Sequence, residues 1–103
     1  MTYVVGLGSR ANMQTIATIW SDLAEALETH DAITVDCTEV VDADLSIVQL
    51  LEAARGQAAR SHKTLALAAP AGPAITAVLE RGGFLTEPSP EFRDFWCHGD
   101  HSR

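Results

Sequence analysis

Two stretches of this chain carry the same apolar spacing. Ile16, Ile19, Trp20, Leu23 and Leu27 fall at i, i+3, i+4, i+7 and i+11, and Ile47, Leu50, Leu51, Ala54 and Ala58 repeat that pattern. Residues so spaced line one face of an α-helix, which turns once in about 3.6 residues. Between the stripes lie apolar runs too short for helices, at residues 3–7, 33–36 and 65–69. Short strands alternating with one-sided helices imply an α/β layer, in which parallel strands are joined by right-handed crossovers. The chain's 103 residues suffice for one such domain with one core.

The boundaries follow from local chemistry. Residues 3–7 run into Gly6, Gly8 and Ser9, a turn signal, so residues 13–16 are expected to pair back as the second strand of an N-terminal hairpin. The first helix is expected from Thr18, its N-cap, to about Thr29, with Asp22 near its positive end and His30 at its negative end. Residues 37–43 read as a loop, and Asp44 stands where the next helix needs a cap. That helix is expected over 44–60, with Arg55, Arg60 and Lys63 gathered toward its C-terminus. Residues 65–69 read as a buried strand. Gly72 and Pro73 then fit the cap and first position of a helix whose inner face is Ile75, Val78 and Leu79 and whose end is Gly82-Gly83. Ser89-Pro90-Glu91 opens a tail helix of about 90–97 that sets Phe92, Phe95 and Trp96 on one face. The expected architecture is a small four- to five-stranded, mostly parallel sheet with an N-terminal hairpin and helices packed on it. It fills residues 1–103 as one domain, with its core at about 3–85. The loops after strands 33–36 and 65–69 then share the carboxyl edge of the sheet, where ligands and partners of open α/β sheets sit.

Composition narrows the function. A formal charge of −7 disfavours nucleic acid, whose binding requires Lys and Arg to displace counterions. No apolar run nears the roughly 18–20 residues that span a bilayer, so no direct membrane insertion is expected. MTYVVGLGSR has no basic region before a long apolar stretch, so no secretory signal is read. Cys37 and Cys97 have no framework spacing and read as free thiols, which fits a cytoplasmic protein.

The stretch from Ile33 through Asp36, Val40, Asp44, Leu45, Ser46, Ile47 and Val48 to Leu51 resembles the central signature of STAS domains, the fold of anti-sigma-factor antagonists. That signature is an apolar strand ending in Asp, a loop Val, and Asp-Ser-Ser-Gly-Leu opening a Leu-rich helix. Residues 64–70 and 79–84 are similar to the family's third core strand and the end of its third helix. The resemblance covers about residues 3–85. It implies a regulatory protein-binding module without enzymatic activity or cofactor. The implied partner is an anti-sigma-type serine kinase, met by the helix N-terminus and loop at Asp36, Glu39, Asp42, Asp44, Leu45, Ser46 and Ile47. By position Ser46 is the family's phosphate acceptor. A phosphate in a first helical turn gains free N–H groups and a favourable dipole, and adds about −1.5 to −2 charge at an interface. Three positions depart from the family: Leu45 replaces the first Ser, Ile47 replaces the Gly, and Asp42 stands where an apolar residue is usual. Ser46 is therefore either an acceptor or an ordinary helix-start serine. The departures also fit a second role, a non-phosphorylated accessory subunit of a phospholipid ABC transporter or of a chemotaxis-type assembly.

Other constellations carry less. Gly6-Leu-Gly8-Ser-Arg-Ala11 mimics GxGxxA, but the acids at the required distance, Asp22 and Glu25, fall inside a predicted helix. Cys97-His98-Gly-Asp100-His101 matches no zinc spacing, so no metal is expected. His30 and His62 sit at predicted helix ends, where capping accounts for them.

Overall fold

The protein, seen in a computed structural model, is described here over residues 2–98. Its elements follow in the order β1 (Tyr3–Gly6), β2 (Arg10–Ala11), α1 (Ile16–Thr29), β3 (Ala32–Asp36), β4 (Asp42–Ala43), α2 (Leu45–Arg60), β5 (Thr64–Leu67), α3 (Pro73–Arg81) and α4 (Pro90–Cys97). Among the described residues five strands form two sheets, all pairs parallel. One has the order β1-β3-β5 and the other pairs β2 with β4.

The expected hairpin is corrected. Among the described residues no strand returns along β1, and residues 13–16 form no strand. After Gly6 the chain keeps its direction: the Leu7 amide donates to the Asp36 carbonyl at 3.0 Å, prolonging the β1–β3 ladder. Gly8, at φ +74°, then deflects the chain toward β4, a backbone turn that glycine makes without steric cost. The glycines therefore mark a bend between two parallel pairings.

Alternation along the strands decides the layers. Val5, Ile33, Val35, Leu65 and Leu67 are buried, while Val4 and Ala66 between them are exposed. Helices cover one face of the sheet, so the strand expected at 65–69, which is β5 at Thr64–Leu67, is buried on one side only. Both predicted stripes reach the core: Ile19, Leu23 and Leu27 from α1, and Ile47, Leu50, Leu51, Ala54 and Ala58 from α2. Trp20, counted in the first stripe, is 39% exposed at its margin. The first helix starts at Ile16, two residues before the predicted start. Thr15 takes the cap position, and its hydroxyl accepts from the Asn12 amide at 3.1 Å.

The C-terminal half follows its punctuation. Pro73 opens α3 after Gly72, and Gly82 closes it. Ser89 caps α4 by accepting from the Phe92 amide at 3.1 Å. This last helix lies against β5, where its Trp96 carbonyl accepts from the Ala71 amide at 2.7 Å. Trp96 is fully buried, and its indole N–H donates to Glu52 of α2 at 2.7 Å. Arg55, ion-paired with Glu52 at 2.6 Å, lies over the Phe95 ring. Among the described residues, no helix is long and apolar enough to cross a membrane.

The rim around the second helix as a candidate functional site

The start of α2 is held by Asp44. Its backbone is extended (φ −136°, ψ −176°), as an N-cap requires, and one carboxylate oxygen accepts from the Ser46 amide at 3.0 Å. The same oxygen accepts from the Ser46 hydroxyl. The second oxygen accepts from the Met13 amide at 2.9 Å. The Ser46 hydroxyl foremost holds the Asp44 carboxyl below its ordinary value; burial, next in size, pushes it upward, and the Met13 and Ser46 amides add to the lowering. Asp44 thus joins α2 to the segment that leads into α1.

The two-stranded sheet lies beside this cap. Arg10 is in register with Asp42, and Ala11 with Ala43. The Asn12 side-chain Nδ2 donates to Asp42 at 2.8 Å, and the Asn12 side-chain Oδ1 accepts from the Gln14 amide at 3.0 Å. Arg10, Asn12 and Met13 therefore belong to the rim, although nothing local in the sequence pointed to them. Their link to residues 42–44 is a parallel pairing across some thirty residues. The segment around Ser46 is free of Arg and Lys, and the fold pairs the Arg10 backbone with Asp42.

The residues expected at a partner surface divide. Glu39 and Asp42 are exposed, Leu45 is 45% exposed, and Asp44 and Ser46 are half-buried. Asp36 turns inward on its own loop: one oxygen accepts from the Thr38 hydroxyl at 2.7 Å and from its amide at 2.9 Å, which lowers its carboxyl's pKa. It shapes the loop. Ile47 is 0% exposed, so the expectation that it meets a partner is corrected. Its β-branched side chain belongs to the buried stripe of α2 and offers no surface. Two residues absent from the expected set are prominent instead: Met13 at 74% and Val41 at 78% exposure. With Leu45 they put apolar side chains in water on the segments that lead into and out of the Asp44 cap. Below them Val40 and Cys37 are buried, and burial, helped by the Asp36 charge, pushes the Cys37 thiol up to about 11.

Other sequence motifs resolve into structure. No helix opens at Gly6-Leu-Gly8, since α1 begins at Ile16. His62, at φ 59°, lies just beyond α2, and His30 ends α1 and stacks on Tyr3 with ring centroids 4.2 Å apart. The His98 ring nitrogen lies 3.0 Å from the Leu67 carbonyl. The rest of the terminal Cys-His-Gly-Asp-His run, Gly99, Asp100 and His101, lies outside the described residues. Among the described residues, no three metal-capable side chains gather.

The family described as "Mlab, STAS domain" matches residues 2–86. No curated protein and no solved structure matches the chain. The match spans β1 to the loop after α3 and leaves α4 outside it. With that span, the parallel α/β layer and the capped helix at the sheet's carboxyl edge, the chain belongs to the STAS domain family, a family of regulatory protein-interaction modules.

Proposed function

We propose that this chain is a cytoplasmic regulatory module that docks a partner protein on the rim made by Met13, Glu39, Val41, Asp42 and Leu45, and that Ser46 switches the docking. The observation that carries the proposal is the placement of an alcohol among exposed apolar side chains at the first turn of α2. Met13, Val41 and Leu45 supply area that a partner can dehydrate, and the exposed Glu39 and Asp42 suit a basic surface around it. Asp44 holds the Ser46 hydroxyl in one orientation. A phosphate at that oxygen breaks this hydrogen bond and sets two negative groups against each other, with the α2 amides as compensation. Both effects disrupt a packed interface. An anti-sigma-type serine kinase, the partner implied by the resemblance, supplies both the docking and the phosphoryl transfer.

The test begins with phosphate mapping by mass spectrometry after incubation with the kinase and ATP. Modification at Ser46 is expected, and modification only elsewhere ends the assignment. Ser46→Asp is then expected to weaken partner binding while Ser46→Ala preserves it. Equal affinities would count against the switch.

A second reading has its own support. Leu45 and the buried Ile47 flank Ser46 where the phosphorylated members have Ser and Gly, and the matched family's description names Mlab. In that reading the same rim docks constitutively, as an accessory subunit of a phospholipid ABC transporter. A co-purifying ATPase subunit whose retention is indifferent to Ser46→Asp distinguishes it.

A further inference from the structure

The outer edge of the three-stranded sheet offers a second surface, which shares no residue with the rim. Among the described residues, strand β1 has β3 on one side and no strand on the other. Because the Leu7 amide faces β3, the period of two along a strand turns Tyr3 and Val5 the same way and leaves Val4 and Gly6 with their N–H and C=O groups directed outward. Natural edges of this kind are usually blunted by Lys, Pro or a bulge. Tyr3-Val-Val-Gly6 carries none of these, and Tyr3 and Val4 are 45% and 58% exposed. Alongside runs a groove of about 390 Å³ between β1 and α1, lined by Asp22, Glu25, Thr29 and His30 from the helix side. Its lining holds two carboxylates and no Lys or Arg.

We infer that this edge accepts an extended, basic segment of a partner protein, which adds to the sheet as a strand beside β1. Backbone hydrogen bonds to Val4 and Gly6 supply the pairing, and alternate Lys or Arg side chains reach over the groove to Asp22 and Glu25. A small edge residue suits this: a Cβ built at Gly6 meets nothing within 4 Å, so the approach is open. Charge decides between this occupant and a second copy of the chain. Joining two copies through β1 sets the Asp22 and Glu25 of one against those of the other, so like charges oppose the pairing.

The probe is a capped ten-residue peptide alternating Val with Lys, with a second peptide carrying Glu in place of Lys. In amide hydrogen exchange, saturating basic peptide is expected to slow Val4 and Gly6 about tenfold or more, as newly bonded amides do, and to leave the rim unchanged. The double variant Asp22→Asn/Glu25→Gln, which alters only exposed side chains, is expected to weaken binding about fivefold, as two exposed ion pairs would. Val4→Pro is expected to abolish binding, since it removes an outward donor that no internal partner uses. Unchanged exchange at Val4 and Gly6, or equal binding of the Glu peptide, overturns the inference. So does a peptide-free dimer in which those two amides are already protected. Should Val4→Pro not fold, the exchange pattern and the double variant decide.

Discussion

Replacing Asp44 by Ala separates the structural role of the cap from the regulatory role of its neighbour. The side chain receives three hydrogen bonds, from the Ser46 amide, the Ser46 hydroxyl and the Met13 amide. Loss of an N-cap costs about 1 kcal/mol, within a range of roughly 0.5–2. The Ser46 hydroxyl and the exposed Met13 amide turn to water when released, so they add only about 0.5 kcal/mol. The expected total, about 1.5 kcal/mol, lowers the melting temperature of a chain this size by about 6–12 °C. Asp44→Asn keeps a capping oxygen but cannot serve both amides well, so about 0.5 kcal/mol is expected for it. The pH dependence follows from the lowered carboxyl of Asp44. A group whose folded value lies below its ordinary 3.8 stabilises fully above that value and loses the contribution as pH falls through the folded value. The stability gap between the parent protein and Asp44→Ala should therefore hold at neutral pH and narrow only in acid, while the difference between the Asn and Ala variants, neither of which titrates there, stays constant. Urea titrations at several pH values measure all three. Equal destabilisation by Asn and Ala, or a gap that widens in acid, would refute the capping account.

Two further outcomes are expected. Trp96→Phe deletes the indole donor to Glu52 but leaves a carboxylate that water can reach, so about 1.5–2 kcal/mol should be lost in urea unfolding; an unchanged midpoint would show that the bond contributes nothing. With its thiol pushed up to about 11 and its side chain buried, Cys37 should resist iodoacetamide near neutral pH in the native protein and react readily in urea. Rapid native labelling at Cys37, located by peptide mapping, would contradict that burial.

How legible the fold was depended on how local each signal was. The stripe of α2 and its Asp44 cap lie within fifteen consecutive residues, Asp44 to Ala58, and both appear where the spacing placed them. Gly72-Pro73 and Ser89-Pro90 likewise mark helix starts through chemistry confined to one turn. By contrast, β2 has two residues and pairs across the chain with β4, so no periodicity can build up in either. Gly6, Gly8 and Ser9 gave a sound turn signal, but a turn residue does not specify whether the chain reverses or swerves. The site was legible to the same degree. Asp44 and Ser46 followed from the family signature, whereas Met13 and Val41 emerged only when the fold placed them in water. Ile47 belongs both to the family motif and to the apolar stripe of α2. The two readings competed at one residue, and burial of its hydrocarbon prevailed.

The family match ends at residue 86, yet the largest fully buried side chain, Trp96, comes ten residues later. A fragment trimmed to the family's boundary would lose its plug: an indole-sized void would open beside α2, Glu52 would lose its donor, and the flank of β5 would be laid bare. For this protein the physical unit therefore runs past the shared segment, and fragments made for binding or structural work should carry α4 with them.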